Sequence, residues 1–267
     1  MYITKNEQKS YNEHGFVVIK NLVDCQKHDL LLRGLVKILR KYDKKCTLNI
    51  DSINSWEDDV LSESLIDFRK RQPTLFGAFY DTMQTNTLLQ SLLIQDKIIN
   101  VISDLFNQEP DTFSSTGYML RIDPPNDERN TYDWHQDSAY YKQNKVGIHG
   151  CVAIIPLVDI NPINGSLSIL QGSQNEETHE HEFYKSESGD NASEKFTLPE
   201  NIVNKYPKVD LYANKGDVVF LQMNLIHKSG FNISNKVRFT SGIRFHKTLV
   251  SDFLPGRIIY KPTNLSK

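Results

Sequence analysis

A histidine and an aspartate stand two positions apart in the segment DWHQDSAYY (133–141), at His135 and Asp137. Imidazole nitrogens and carboxylate oxygens are common metal ligands, so the pair could supply two ligands of a metal site. The pair could equally be two polar residues that alternate on a solvated strand, and the spacing alone is weak support for a metal. The metal interpretation therefore depends on a third ligand elsewhere in the chain.

His227 is the histidine best placed to be that third ligand. It follows the apolar run GDVVFLQM (216–223) and precedes a turn of small residues, so it can point into the mouth of a β-barrel. Two imidazoles and one carboxylate on one face of an octahedral metal leave three positions open, as in non-haem Fe(II) oxygenases. A zinc-dependent hydrolase can use the same three ligands, so this alternative stays open.

The other six histidines have simpler interpretations. Two are interpreted as surface residues of a helical region, two as a His-x-His pair in a polar acidic segment, and two as core or pocket residues within strands. In that order they are His14 and His28, His179 and His181, and His149 and His246. A mobile acidic segment rarely preorganises a metal site, so the pair at 179 and 181 is not favoured as a ligand set.

Arg238 and Ser229 give the proposed metal a specific partner. Arg238 lies eleven residues after His227 on a predicted strand, where a guanidinium can bind a carboxylate in bidentate fashion. Ser229, two residues after His227, can add a hydrogen bond to the same carboxylate. An acid with a carboxylate at one end and a chelating keto acid at the other is 2-oxoglutarate, which a zinc hydrolase does not need.

Five further residues are candidates for contact with a small-molecule substrate because they lie close in sequence to the metal-binding strands. They are Arg121, Tyr140, Lys142, Arg244 and His246. Each could as well be a surface salt bridge, an edge-strand charge or a core hydroxyl. If two of the cations face the interior, an acidic small molecule becomes the favoured substrate class.

The elements that must position these residues change character at Pro110. Residues 1–110 read mainly as helix, with apolar residues at helical spacing, except for the β-branched run GFVVIKNLV (15–23). Helices are predicted over 24–43, 55–71, 73–84, 86–95 and 96–106. After Pro110, short β-branched and aromatic runs alternate with Gly, Pro and Asn, which is typical of an antiparallel sandwich or barrel.

These patterns predict one α+β domain over 1–267. A jelly-roll core spans 111–250, and the helices of 1–110 pack against its outer sheet. The polar, aperiodic segment 174–207 is interpreted as a lid-like insertion over one end of the barrel, because loops of that length are often functional. Oligomeric state is not legible in the sequence.

Composition excludes several other classes of protein. A formal net charge of −2 gives no electrostatic case for nucleic acid or an anionic membrane as a partner. No apolar run reaches the ~20 residues of a membrane-spanning helix, and the N-terminus has no signal-peptide core. Three distant cysteines without a CxxC pair favour a reducing compartment, so a cytoplasmic protein is expected.

Several of these segments together resemble the phytanoyl-CoA dioxygenase family of Fe(II)/2-oxoglutarate-dependent oxygenases. They are YMLRIDPP (118–125), WHQD (134–137), NGSLSILQGSQ (164–174), GDVVFLQMNLIHKSG (216–230) and Arg238. The resemblance runs from about residue 112 to 247 and more weakly through the N-terminal helices. The chain departs from the family at Gln171, where the family has proline, at Gln174, where it has histidine, and near Ala153 or Ile154, where a tryptophan is frequent.

The resemblance implies a double-stranded β-helix, also called a jelly roll, with supporting helices. It implies that His135, Asp137 and His227 bind Fe(II), that Arg238 and Ser229 hold the far carboxylate of 2-oxoglutarate, and that Met119 contacts this cosubstrate. It further implies consumption of O2 and release of succinate and CO2. Since Asp137 stands where related halogenases have a small residue, hydroxylation is favoured over halogenation. A jelly-roll binding module without catalysis is the non-enzymatic alternative.

Overall fold

The structure, a computed structural model, describes residues 2–184 and 195–256, except for the side chains of 25–27. Within these ranges the α-helices are α1 Lys5–His14, α2 Cys25–Tyr42, α3 Asp59–Arg71, α4 Pro73–Gln84, α5 Thr87–Leu93, α6 Asp96–Phe106, α7 Asp137–Tyr140 and α8 Glu200–Val203. The strands are β1 Phe16–Ile19, β2 Phe113–Asp123, β3 Gly150–Pro156, β4 Leu167–Leu170, β5 Glu182–Tyr184, β6 Lys195–Thr197, β7 Lys208–Leu211, β8 Val218–Gln222, β9 His227–Ser229 and β10 Arg238–Lys247.

Two antiparallel sheets form the β part of the fold. The larger has the strand order β1-β8-β3-β10-β2 and the smaller the order β7-β4-β9, while β5 and β6 form a separate hairpin. Apolar side chains of both sheets pack together, with Val152 and Leu221 from the larger sheet and Ile169 and Leu211 from the smaller. Two sheets packed around a shared apolar layer are the architecture of a jelly roll.

The N-terminal helices cover the other face of the larger sheet. α6 shows the pattern, since it buries Ile98, Val101, Ile102 and Leu105 at spacings of three and four residues. Helices α4 and α5 contact β2, and α5 also contacts β10. The helical layer therefore supports from outside the two strands that carry Arg121, Arg238 and Arg244.

Successive side chains of β10 point alternately to the helical layer and to the space between the two sheets. Phe239, Ile243 and Phe245 join the core shared with the helices. Arg238 and Arg244, whose side chains leave a strand on the opposite face, contact the cavities between the sheets. The register with β2 shifts between Gly242 and Arg244, which marks a bulge in β2 rather than in β10. The alternation along β10 is therefore kept.

The five predicted helices and the early strand are confirmed as α2 to α6 and β1. The sequence reasoning missed α1, whose sequence KNEQKSYNEH carries too few apolar residues for a clear helical period. Its start is fixed instead by a capping box, in which Thr4 and Glu7 each bond the other's backbone N–H. Within the ranges described, no helix is both long enough and apolar enough to cross a membrane.

The prediction that His28 is a surface residue is wrong. Its side chain on α2 is 0% exposed and lies one turn before Leu31 and Leu32, which are also buried. Burial, with a smaller contribution from Lys215, lowers the pKa of His28 to about 4, against a smaller opposing effect of Asp24. Residues 28, 31 and 32 share one face of the helix, so the histidine follows its neighbours inward.

The segment 174–207 is only partly described. Residues 174–184 and 195–207 contain the β5–β6 hairpin and α8, whereas 185–194 lie outside the described residues. The described part is tied to the metal-binding region, because the amide N–H of Gln136 donates to Nε2 of His181 (3.1 Å) and His179 N donates to the side chain of Gln136 (2.8 Å). Its role as a lid stays a prediction.

Candidate metal centre and adjoining cavities

His135 and His227 are brought side by side by a backbone bridge. The amide N–H of each donates to the carbonyl of the other at 3.0 Å, which joins the segment before α7 to β9. Asp137 follows two residues later as the first residue of α7. One nitrogen of each imidazole and one carboxylate oxygen of Asp137 all lie within 4.8 Å of one another, and all three residues are buried. The structure thus brings together the three residues that the sequence singled out.

Backbone carbonyls fix the orientation of both imidazoles. Nδ1 of His135 lies 2.6 Å from the carbonyl of Asp133, and Nδ1 of His227 lies 2.8 Å from the carbonyl of Leu225. A carbonyl only accepts, so in each ring Nδ1 carries the proton and Nε2 keeps its lone pair. These Nε2 atoms lie 3.4 Å and 3.8 Å from Oδ1 of Asp137. Both lone pairs therefore face the same carboxylate oxygen.

The protonation states of the cluster suit a metal ion. Burial alone would raise the pKa of Asp137, but Arg244 and the neighbouring imidazoles of His135 and His227 outweigh it and hold that pKa well below its usual range. Burial, with the neighbouring His135, lowers the pKa of His227 to about 4. At neutral pH the site therefore holds a carboxylate and a neutral His227, the forms in which these side chains bind metals.

Arg244 holds the second oxygen of Asp137. Its Nε donates to Oδ2 at 2.7 Å, and its Nη1 donates to the carbonyl of Gly117 at 3.2 Å, on the bulge of β2. The guanidinium also lies over the ring of Tyr141, 4.7 Å from its centroid. Oδ1 of Asp137 is thereby left to face the two histidines.

A cavity of about 500 Å³ opens next to the three residues. Aromatic side chains form much of its wall, together with apolar residues and two arginines. Besides the three central residues the lining consists of Met119, Arg121, Tyr132, Tyr140, Tyr141, Ile154, Leu167, Phe183, Phe196, Ser229 and Arg244. Ile154 lies in the region of β3 where the family often has tryptophan, so here an isoleucine forms that part of the wall.

Phe183 and Phe196 come from the β5–β6 hairpin. Their ring centroids are 4.4 Å apart, and Phe196 lies 4.2 Å from Tyr140. The hydroxyl of Tyr140 accepts the amide N–H of Phe196 at 2.9 Å, which ties α7 to the hairpin. Phe183 remains 66% exposed, so it lies at the mouth of the cavity.

A smaller cavity of about 60 Å³ adjoins the first. Both cavities are lined by Met119, Arg121, Ile154, Leu167 and Ser229. The smaller one adds Arg238 and Thr240, neither of which lines the larger cavity. The three residues predicted to contact 2-oxoglutarate, Arg238, Ser229 and Met119, thus surround a single small space next to the metal-binding cluster.

Arg238 is buried and held by many partners. Its Nε and Nη2 donate to Oδ2 of Asp123 at 3.1 and 2.7 Å, and its Nη1 donates to backbone carbonyls of Asn164 (3.0 Å), Gly230 (2.9 Å) and Gly165. Gly165 has φ +94°, and a Cβ there would collide with Nη1 of Arg238. The turn before β4 therefore needs glycine in order to approach this guanidinium.

Arg121 lies beside Arg238 because Arg121 pairs with Thr240 in the register of β2 and β10, and Asp123 pairs with Arg238. Its Nη1 donates to Oγ of Ser229 at 2.7 Å. Its Nη2 lies 3.2 Å from Oδ2 of Asp123. Two buried atoms of this cluster have no hydrogen-bond partner, Nε of Arg121 and Oδ1 of Asp123.

The candidate substrate residues divide into two groups. Arg121, Tyr140 and Arg244 line the larger cavity, whereas Lys142 and His246 do not. Lys142 is exposed, and His246 is buried with Nε2 2.9 Å from Oγ1 of Thr116 and Nδ1 3.2 Å from the side-chain oxygen of Asn144. The structure therefore places these two residues outside the lining of the cavity next to the triad.

Several residues of the site had not been expected from the sequence. Asp123 could have been found, since it is two residues after Arg121 and so leaves β2 on the same face. Tyr132 directly precedes the DWHQDSAYY motif and Tyr141 is its last residue, but nothing in their spacing indicated a cavity wall. Phe183 and Phe196 lie in the polar segment 174–207, and no periodic pattern pointed to them.

Comparison with known proteins identifies a family and several relatives of this chain. A model of the family described as Phytanoyl-CoA dioxygenase (PhyH) matches residues 11–240. The peroxisomal phytanoyl-CoA dioxygenase of Homo sapiens is 28% identical over 236 residues, which are 86% of this chain and 64% of the human protein. A probable phytanoyl-CoA dioxygenase of Caenorhabditis elegans is 22% identical and is covered to 71%. The chain thus spans less than two thirds of the length of the human relative.

Solved structures with the same fold include two proteins in complex with small molecules. The epimerase SnoN, in complex with Fe3+, alpha ketoglutarate and nogalamycin RO, aligns with a TM-score of 0.57 at 16% identity, over 97% of this chain and 92% of SnoN. EvdO2 from Micromonospora carbonacea var. aurantiaca, complexed with 2-oxoglutarate, aligns with a TM-score of 0.59 at 13% identity, over 95% of each chain. At these identities the likeness concerns the fold, and it confirms the predicted fold class.

Proposed function

The chain belongs to the phytanoyl-CoA dioxygenase family, and on this premise we propose that it is an Fe(II)- and 2-oxoglutarate-dependent oxygenase that hydroxylates a small molecule. The observation that carries the proposal is the convergence of His135, Asp137 and His227, whose ligand atoms lie within 4.8 Å of one another. Around this cluster the chain provides a cavity large enough for a small molecule and an adjoining space lined by arginine.

The donor set fits Fe(II). Two imidazole nitrogens and one carboxylate oxygen form the facial triad of non-haem iron oxygenases, which leaves positions for a chelating cosubstrate and for O2. The carbonyls of Asp133 and Leu225 fix the two rings, and Arg244 fixes the carboxylate. Such outer contacts commonly orient metal ligands.

The same three ligands would also suit a zinc hydrolase, so a second feature must decide between the two. That feature is the small cavity with Arg238, Arg121 and Ser229 beside the triad. It offers guanidinium and hydroxyl donors to a carboxylate, which 2-oxoglutarate has at its far end. A zinc hydrolase would need such a subsite only for a substrate that itself carries a carboxylate, whereas every 2-oxoglutarate-dependent oxygenase needs one for its cosubstrate.

When bound, Fe(II) and 2-oxoglutarate supply the oxidising chemistry, in which O2 is consumed and the keto acid is converted to succinate and CO2. His135, Asp137 and His227 would hold the metal. Arg238 and Ser229 would bind the far carboxylate, and Met119 would pack against the carbon chain. The aromatic wall at Tyr140, Phe183 and Phe196 would exclude water and orient the substrate.

Hydroxylation is the specific reaction that we propose. Support comes from Asp137, whose carboxylate fills the ligand position that a halogenase leaves to halide. The fold also serves the epimerase SnoN and the carbocyclase SnoK, so the product must be identified directly. A product heavier by one oxygen atom supports hydroxylation, whereas an unchanged or dehydrogenated product would contradict it.

The first test is anaerobic and needs no knowledge of the substrate. Fe(II) followed by 2-oxoglutarate should give the weak visible charge-transfer band of a chelated keto acid. No band at saturating concentrations would contradict the proposal and favour a binding module or a zinc enzyme. A panel of small molecules, screened aerobically by succinate formation, then identifies the substrate.

Substitutions of the triad make the test specific. His135→Ala and Asp137→Ala should each lose the band and all turnover, because two ligands do not hold the metal in an open facial site. His149→Ala is the matched control, since His149 pairs with Asp252 (2.7 Å) outside the cavity and should keep both. An Asp137→Ala protein with full activity would refute the ligand assignment.

A cytoplasmic location remains a proposal from the sequence. It is supported by Cys46 and Cys151, which are free thiols. The human relative is named as a peroxisomal protein, so fractionation of cells that express the chain, with peroxisomal markers, is the direct test.

A further inference from the structure

A largely buried cluster between β2 and β10 carries more positive than negative charge. Arg121 and Arg238 both pair with the same oxygen of Asp123, at 3.2 and 2.7 Å. One carboxylate balances one guanidinium, so these three groups together keep one positive charge. An uncompensated charge away from water is unfavourable unless an opposite charge joins it.

Arg238 has little capacity left for a further partner. Two of its nitrogens donate to Asp123, and the third donates to backbone carbonyls that include those of Asn164 and Gly230. The edge of the guanidinium that would grip a carboxylate in bidentate fashion already faces Asp123. Of its five N–H groups, these contacts leave one on Nη2 to bind a ligand.

Arg121, in contrast, has N–H groups that are not yet bound to an acceptor in the described part of the chain. Its Nη1 donates to Oγ of Ser229, and its Nη2 donates to the carbonyl of Asn130. Its Nε is buried and has no partner. A guanidinium can only donate, so this buried N–H needs an acceptor that the described protein atoms do not supply. Since Oγ of Ser229 accepts from Arg121, its own hydrogen stays free for the same acceptor.

The position of Arg121 connects the two cavities. Arg238 lines only the smaller cavity, the metal-binding triad lines only the larger, and Arg121 lines both. A molecule that reaches from the triad towards Arg238 therefore crosses a boundary that Arg121 helps to line, and Arg121 is the one charged residue among the described residues that line both cavities. Such a molecule meets a surplus positive charge and a free N–H at this point.

We infer that Arg121 binds the far carboxylate of 2-oxoglutarate together with Ser229 and Arg238, so that two guanidiniums rather than one select a dicarboxylic keto acid. Asp123 acts as the shared counter-ion that holds both arginines in place. The inference rests on the proposed function and adds to it a specificity residue on β2. The added carboxylate would bring the charge of the Arg121–Asp123–Arg238 cluster to zero.

The test compares two keto acids of equal length. 2-Oxoglutarate has the far carboxylate, and 2-oxopentanoate has a methyl group in its place. Their dissociation constants are measured by calorimetry on the Mn(II)-loaded protein, without turnover, for wild type, Arg121→Met and Arg121→Lys. Arg121→Met should weaken binding of 2-oxoglutarate about tenfold to a hundredfold, the worth of a charge-assisted hydrogen bond, and leave 2-oxopentanoate unchanged.

Arg121→Lys should fall between wild type and Arg121→Met, because it keeps the charge but loses the fork of donors. If Arg121→Met does not fold, Arg121→Lys carries the test, and a loss of at least about fivefold is then expected for 2-oxoglutarate alone. Arg33→Met is the matched control, since Arg33 is an exposed arginine paired with Asp51.

The outcomes distinguish a failure of the role inferred for Arg121 from a failure of the proposed function. If wild type binds 2-oxoglutarate and the Arg121 variants prefer it over 2-oxopentanoate as strongly as wild type does, this inference is wrong and the proposed function stands. If Mn(II)-loaded wild type binds neither keto acid, the proposed function fails and the inference fails with it.

Discussion

The two carboxylate oxygens of Asp137 have different partners. Oδ1 faces the imidazoles of His135 and His227, and Oδ2 accepts from Nε of Arg244 at 2.7 Å. Both Asp137 and Arg244 are buried. Arg244 is thus first of all the counter-ion of Asp137, a proposed metal ligand, although it also lines the cavity and had been a candidate for substrate contact.

This pairing predicts strong coupling between the two residues in the metal-free protein. Arg244→Met should lower the free energy of unfolding by about 3–5 kcal/mol, because it leaves a buried carboxylate without a counter-ion. Arg244→Met combined with Asp137→Asn should cost much less than the sum of the single changes, because no uncompensated charge then remains. Urea denaturation of the four proteins measures the cycle.

An additive result would contradict the counter-ion role and return Arg244 to the list of substrate contacts. The exposed pair Arg33 and Asp51 provides the control cycle, with Arg33→Met and Asp51→Asn. Its coupling should be about 0.2–1 kcal/mol, since solvent screens exposed ion pairs.

Some residues of the site could be predicted from the sequence and others could not. The three residues of the triad could be found because few side chains bind metals and their order along the chain is restrictive. The partner of Arg238 could not be found in this way. Asp123 meets Arg238 only because β2 and β10 pair in one particular register, which depends on the whole sheet.

At the scale of the elements, β9 and the short helix α7 determine the geometry of the metal-binding cluster. The backbone bridge between His135 and His227 sets the separation of the two imidazoles. The turn of α7 then directs Asp137 back towards them, with the amide N–H of Tyr141 donating to the Asp137 carbonyl at 2.9 Å. Two hydrogen-bonded elements therefore hold all three ligands without a long loop.

A buried histidine on helix α2, His28, should make the stability of the protein depend on pH. His28 has a pKa of about 4 in the folded protein, against an ordinary value of 6.5, mainly because it is buried. Its stabilising contribution is complete above pH 6.5 and is lost as the pH falls towards 4, because the unfolded chain then binds the proton more readily. A shift of this size corresponds to a loss on the order of 3 kcal/mol.

Substitution isolates this contribution. His28→Leu should make the fall in unfolding free energy between pH 6.5 and 4.5 less steep, as measured by urea denaturation at several pH values; His227, whose pKa is also about 4, keeps part of the fall. Leu32→Val, one turn further along α2, removes one methylene without a titratable group, so it should lower stability equally at every pH. An unchanged pH profile in His28→Leu would show that this imidazole is not what titrates.

Long periodic elements were the easier ones to predict. Helices α2 to α6 repeat apolar residues at helical spacing, and this pattern survives without any tertiary information. The β5–β6 hairpin was missed because its three-residue strands, Glu182–Tyr184 and Lys195–Thr197, are too short to show alternation. Their aromatic side chains gain a role only through contact with Tyr140, which lies far away in sequence.

On the scale of the whole molecule, the larger sheet separates a structural core from the site. Its outer face joins the helices in an extensive apolar core, and its inner face joins the smaller sheet around the cavities. The proposed metal ligands lie between the sheets, and one of them, His227, belongs to the smaller sheet. Metal binding should therefore stabilise the packing of one sheet against the other.

This arrangement predicts that metal binding raises the thermal stability of the entire β-sandwich. At a free Mn(II) concentration of 100 times its dissociation constant, the folded state should gain about 2.7 kcal/mol. For a chain of this size that corresponds to a rise in Tm of roughly 5 °C or more. 2-Oxoglutarate should add a further rise only when Mn(II) is present, because the keto acid then has a metal to chelate. Asp137→Ala should lose both rises, whereas His149→Ala should keep them. A rise that survives in Asp137→Ala would mean that the metal stabilises the fold from another site.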